Sequence, residues 1–180
     1  LGCCGRPVGG DGGDMPRLSR IYFPVTALGP GNRLGVWFQG CSIACKGCLA
    51  LDTWDPQEGV DVSVERLAEI WKAALSRGAT GLTVSGGEAS EQGDALAEIL
   101  VEVQRLSHAH VATAGTPFPD VLVYTGYEFD QFFQRVTIEH GLIDALITGP
   151  YEAHRPTNRI WRGSSNQEMH LLTPLGAARF

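Results

Sequence analysis

Three of the five cysteines, Cys41, Cys45 and Cys48, follow the spacing C-x3-C-x2-C. Three thiolates this close in sequence can converge on one inorganic centre. A structural zinc site wants four nitrogen or sulfur ligands, so zinc would need a fourth from a distant His or from Cys3 or Cys4. A [4Fe–4S] cube usually takes four cysteines. With three, one iron stays open to a small ligand, and an open position marks a catalytic centre rather than a closed structural one. Buried thiols without a metal are the bland alternative. Cys3 and Cys4, adjacent in a glycine-rich stretch, read as exposed thiols, and an odd count does not suggest a secreted disulfide scaffold.

Other residues of chemical interest fall at the ends of short apolar runs. Leu34–Phe38 leads through Gln39-Gly40 into Cys41, which is strand grammar with the cysteines in the loop beyond. Gly81–Ser85 enters Gly86-Gly87-Glu88, Val121–Tyr124 enters Thr125-Gly126, and Ile143–Ile147 enters Thr148-Gly149. Between these runs lie helical patterns. Ser63 caps a helix carrying Val64, Leu67, Ala68, Trp71, Ala74 and Leu75, closed by Gly78. A second is expected over 92–107 and a third near 128–139. The polar tail, 155–172, is expected to fold back over the site. His108 and His110 end a helix, where the dipole favours His, so a metal pair is not expected there. Trp37 and Trp71 fall on apolar positions and read as core.

Strands alternating with helices predict an α/β fold with a parallel sheet of βα repeats. A full eight-fold barrel takes about 250 residues, so 180 residues suit a partial (incomplete) TIM-type barrel. Ligands in such sheets bind beyond the carboxyl ends of the strands, and four segments point to that one rim. The net charge of -6, with Lys46 and Lys72 the only lysines, argues against a nucleic-acid partner. No apolar stretch approaches the roughly 18 residues of a membrane span, and a cytoplasmic location is expected. Residues 1–16 read as a flexible leader, with Met15 a plausible internal start, and 17–180 as one domain.

The chain resembles the radical S-adenosylmethionine (SAM) enzymes, and within them the small activating proteins of anaerobic ribonucleotide reductase. The matching segments are Tyr22–Val25, Gly29–Gly31, Gly40–Cys48 with Thr53-Trp54, Leu82–Glu88, Val123–Tyr127 and Ile160–Gln167. The resemblance implies that Cys41, Cys45 and Cys48 hold three irons of a [4Fe–4S] cluster and that SAM chelates the fourth. Reduction would then split SAM to a 5′-deoxyadenosyl radical, which takes a hydrogen from a glycine of a partner enzyme. It further implies SAM contacts from Ser85, Gly86, Gly87, Glu88, Tyr124, Thr125, Thr148, Arg162 and Asn166, with the two glycines admitting the methionine end. A glycyl-radical enzyme would be the partner, and a flavodoxin- or ferredoxin-type protein the electron donor.

Four positions depart from the family pattern. Leu49 and Ala50 replace an aromatic and Asn after the third cysteine, Ala89 replaces Pro, and Thr148 replaces Asp. Each changes the surroundings of SAM rather than the cluster. Two other readings compete: a stand-alone radical SAM enzyme acting on a small molecule or peptide, and a zinc or iron–sulfur module without catalysis. The second leaves Gly86-Gly87-Glu88 and the Arg162–Gln167 stretch without a purpose.

Overall fold

The structure, a computed structural model, describes residues 15–180; Cys3, Cys4 and the leader up to residue 14 lie outside the described residues. Pro16, expected in the leader, is buried, and its carbonyl accepts from the Val62 amide at 3.0 Å. Four expected strands are present as β2 (Arg33–Phe38), β4 (Gly81–Gly86), β5 (Asp120–Tyr124) and β6 (Ala145–Thr148), mutually parallel in that order. Three more extend the sheet at its edges. β1 (Arg17–Val25) adds antiparallel beside β2, β3 (Val60–Asp61) adds antiparallel beside β1, and β7 (Glu168–Leu171) adds antiparallel beside β6. The seven-stranded order is β3-β1-β2-β4-β5-β6-β7. The sheet is therefore mixed, with a parallel centre, and it stays open.

Alternation along the strands sends successive side chains to opposite faces. Leu34, Val36, Phe38, Leu82, Val84, Val121, Val123 and Leu146 form the main core with α1 (Val64–Ser76) and α2 (Gly93–Ala114). Ser63 caps α1 by accepting from the Arg66 amide, as expected. Trp71 is buried in this core, its indole N–H donating to Ser107 Oγ at 3.2 Å. Trp37 is not part of it: one residue out of phase, it lies half-buried on the other face under the Arg20 guanidinium. α2 runs seven residues past the expected end, to a left-handed cap at Gly115. His108 and His110 are thus inside a helix, where side chains two apart point to different sides, and His108 packs edge-on against Phe118. α3 spans only Phe129–Arg135, because Val136 is already extended.

The second face of the sheet is polar at its base. Arg33 and Asp120 are fully buried and paired at 2.7 Å. Arg33 also donates to Thr83 Oγ1 at 2.6 Å and to the carbonyls of Leu82 and Pro30. Arg179, at the end of α4 (Pro174–Arg179), reaches the second oxygen of Asp120 at 3.0 Å. The Phe180 ring lies beside Arg33, so the end of the chain closes this side of the sheet.

Candidate functional site

Every loop that leaves a parallel strand at its carboxyl end meets at one cleft. Its walls include Cys41, Cys45, Cys48, Ser85, Gly86, Gly87, Glu88, Tyr124 and Thr125. Nine of the twelve residues picked out above are thereby brought together. Gly126 and Gly149, placed on this rim by their position after strands, line the cleft as well, and so do Tyr151 and Gln167, which were not singled out as ligands. Nothing local marks Tyr151.

The cysteine loop is built from β2 outward. Buried Gln39 donates through Nε2 to the Asp52 and Asp55 carbonyls, and the Gly40 and Cys41 amides donate to Thr53 and Trp54. The Glu88 amide donates back to Gly40 O at 2.8 Å, so the cysteine loop and the Gly-Gly-Glu turn share a backbone bond. The two glycines are needed at this junction. A Cβ on Gly86, whose φ is +105°, would stand 2.7 Å from the Phe38 backbone, and one on Gly87 would stand 2.2 Å from Gly40 O. Their first structural reason is thus the approach of two backbones, in addition to any ligand.

All three cysteines are free thiols and half-buried. Burial pushes the Cys41 thiol up, while the Ile43 and Ala44 amides pull the other way. The Ala50 amide donates to Cys48 Sγ at 3.4 Å, a contact of the kind that tunes iron–sulfur centres. Among the described residues, no three Cys, His, Asp or Glu side chains converge tightly enough to hold a single ion. Tetrahedral zinc would need sulfurs about 3.8 Å apart. A cube that takes one cysteine per iron holds them further apart around a larger body, and the ring of three thiols about an open cleft fits that donor set.

Glu88 is almost fully buried and heavily occupied. It accepts from the Ser90 amide and hydroxyl, the Thr125 hydroxyl at 2.9 Å and the Gly126 amide at 2.8 Å. Burial raises its pKa despite these donors. The carboxylate thus ties the turn after β4 to the turn after β5.

Three expected contacts stand off the cleft lining. Thr148 directs its hydroxyl to His170 Nε2 at 2.9 Å, on the helix-covered face, because alternation along β6 points Ile147 and not Thr148 to the cleft side. Arg162 and Asn166 lie in the returning tail. Asn166 Nδ2 donates to Pro150 O at 2.7 Å, and Gln167 joins the Gly163 and Ser164 amides to Gly149 O. The expected return of the tail over the site is therefore knit by side-chain amides. Yet Asn166 Oδ1, Arg162 Nε and the Tyr124 hydroxyl are buried without a partner. Burial raises the Tyr124 pKa. Trp54 Nε1 and Asp120 Oδ1 are likewise buried without a hydrogen bond, the latter facing Arg33 in an ion pair.

Comparison with known proteins gives the same direction. A family profile described as a 4Fe-4S single cluster domain matches residues 27–170. An anaerobic ribonucleoside-triphosphate reductase-activating protein of Salmonella typhi is 32% identical over 157 residues, covering 84% of this chain and 96% of its own length. The chain belongs to this family. The protein of the same name from Escherichia coli K12 is 30% identical over 157 residues, with the same two shares of 84% and 96%. That of Enterobacteria phage T4 is 28% identical over 152 residues, or 83% and 90% of the two chains. A solved structure of QueE from Escherichia coli aligns with a TM-score of 0.47 at 14% identity, over 62% of this chain and 53% of that one. As a family member the chain is a radical SAM enzyme, with a [4Fe–4S] cluster and SAM as its cofactors. No helix among the described residues is long and apolar enough to cross a membrane.

Proposed function

We propose that the protein generates a glycyl radical on an anaerobic ribonucleoside-triphosphate reductase, with Cys41, Cys45 and Cys48 as the ligands of its cluster. The observation that carries this reading is the meeting of three half-buried thiols with Ser85–Glu88 and Tyr124 in one open cleft. Cys41, Cys45 and Cys48 would hold the cluster, which would supply the one electron that splits SAM into methionine and a 5′-deoxyadenosyl radical, the species that would take a hydrogen atom from a glycine Cα of the partner.

The chain's own residues bind and orient. Ser85, Gly86 and Gly87 form the floor against which the amino-acid end of SAM lies. Tyr124, which lines the cleft, offers an unpaired hydroxyl toward it, while Asn166 and Arg162 support the site from the returning tail just off the lining. Glu88 and Thr125 hold the two turns at their spacing. We assign no SAM contact to Thr148, whose hydroxyl is engaged by His170. The cysteine loop lies at the surface, with Leu49 87% exposed, open to a macromolecular partner. A flavodoxin- or ferredoxin-type donor supplies the electron. The reaction belongs in the cytoplasm, since an oxidising compartment would cross-link free thiols.

The test is anaerobic reconstitution with iron and sulfide, then dithionite, SAM and the reductase encoded in the same genome. The expected result is 5′-deoxyadenosine together with a glycyl radical signal in the electron paramagnetic resonance spectrum of the reductase. 5′-Deoxyadenosine without that signal would overturn the partner; iron without any SAM cleavage would overturn the chemistry.

A further inference from the structure

Three residues beyond Glu88, the short 3-10 turn Ala89–Gln92 carries a second carboxylate that the reaction above does not use. Glu91 faces solvent, yet three donors hold it. The Ser42 amide donates to both its oxygens, at 3.0 and 3.2 Å, and the Ser42 hydroxyl donates to Oε1. The Tyr127 hydroxyl donates to Oε1 at 3.2 Å, and Arg135 lies over the Tyr127 ring at 4.0 Å from its centroid. Ser42 directly follows Cys41. Among the described residues, its bonds to Glu91, with a longer one between its hydroxyl and that of Tyr127 at 3.5 Å, are the hydrogen bonds that tie the segment 42–47 to another part of the fold; Cys48 bonds locally to Cys45 and Ala50.

One turn thus presents two carboxylates with separate tasks. Glu88 is buried and joins the turn after β5. Glu91 is at the surface and joins the cysteine loop, with Tyr127 drawing the same three segments together. An amide accepted by a carboxylate is stronger than a neutral bond, and a fixed negative charge beside an iron–sulfur centre disfavours its more reduced form.

We propose that Glu91 is a positioning residue for the cluster: it locks the cysteine loop through the Ser42 amide before iron arrives, and its charge makes the loaded cluster harder to reduce. The proposal rests on the reading of Cys41, Cys45 and Cys48 as ligands. It is tested on the full chain as wild type, Glu91→Ala and Glu91→Gln, by two readouts. The first is hydrogen exchange of the iron-free protein over residues 41–48. The second is the midpoint potential of the reconstituted cluster.

Glu91→Ala is expected to speed exchange in the loop roughly tenfold, the loss of one charge-assisted bond at a partly solvated site. Glu91→Gln keeps an acceptor for Ser42, so protection should be largely restored. Both variants should have a less negative potential, a change that loss of order alone does not produce in the rescued Gln variant. Wild-type exchange in Glu91→Ala overturns the lock, and an unmoved potential in Glu91→Gln overturns the charge effect. If even the wild type takes up no iron while Glu91→Ala still exchanges faster, the cluster reading fails and the lock stands.

Discussion

The two ends of the parallel strands are built from similar residue types and treat them in opposite ways. At the amino-terminal ends, Arg33, Asp120 and Arg179 form a network in which a fully buried guanidinium meets a carboxylate, a hydroxyl and backbone carbonyls. Asp144, just before β6, likewise accepts from the Val121 amide and the Thr173 hydroxyl. At the carboxyl ends, the Tyr124 hydroxyl, Arg162 Nε and Asn166 Oδ1 are buried without a hydrogen bond, and Tyr124 shares its cleft with three free thiols. At one end the polar groups meet partners within the chain, Asp120 Oδ1 through its ion pair with Arg33; at the other several remain without one. On the proposed function, the difference separates residues that hold the fold from those that meet a ligand, although both sets are polar and buried.

The sharpest way to break the comparison is at the thiols. Cys41→Ala, Cys45→Ala and Cys48→Ala should each abolish SAM cleavage and strip most iron. The iron-free proteins should stay within about 1 kcal/mol of wild type in urea unfolding. Normal cleavage in all three would remove the cleft from the chemistry. At the closed end the opposite is expected. Asp120→Ala leaves Arg33 buried without a counter-ion and should cost about 3–5 kcal/mol of stability, read from the urea midpoint. A loss below 1 kcal/mol would mean that the closed end is not what holds the sheet.

Tyr124→Phe is subtler and sharpens the contrast. Because the hydroxyl has no partner in the fold, its removal should leave the iron-free protein as stable as wild type, or more so by up to about 1 kcal/mol. SAM should bind roughly five- to tenfold more weakly, as calorimetry on the reconstituted protein would show. A clear loss of stability would place Tyr124 with the structural set.

The smallest effect concerns pH. Burial raises the Asp144 pKa, so the folded state favours the protonated carboxyl more than the unfolded state does. Stability contributed here falls as pH rises from about 3.9, the unfolded value, through the raised folded value, and is level above it. Asp144→Asn should flatten that part of the profile in urea unfolding between pH 4 and 7. An unchanged slope would show that Asp144 does not contribute it.

Some of this architecture was readable without coordinates. The apolar runs of β2, β4, β5 and β6 and the 3.6-residue period of α1 follow from local sequence, because a strand buried on both faces or an amphipathic helix leaves its own imprint. β7 left none: Glu168-Met-His-Leu is short and half-exposed, and becomes a strand only because β6 offers it an edge. α2 outran its apolar period because exposed Ala-rich residues continue a helix by propensity alone until Gly115 turns it. α3 stopped early where β-branched Val136, Thr137 and Ile138 begin.

The site divides in the same manner. Cysteine spacing, the Gly-Gly-Glu turn and the placement of chemistry after strands are covalent and local facts, so the sequence by itself determined the rim and, through the family resemblance those motifs carry, pointed to a cluster where spacing alone left zinc open. Which face Thr148 takes, that Asn166 Oδ1 is left unpaired while its Nδ2 is bonded, and that Glu88 is already occupied depend on strand phase and on partners distant in sequence. So do the Arg33–Asp120–Arg179 network and the Ser42–Glu91 link. Only the tertiary structure decided those, because a hydrogen bond between distant segments has no signature in either segment until the backbone brings them within 3 Å or so of one another.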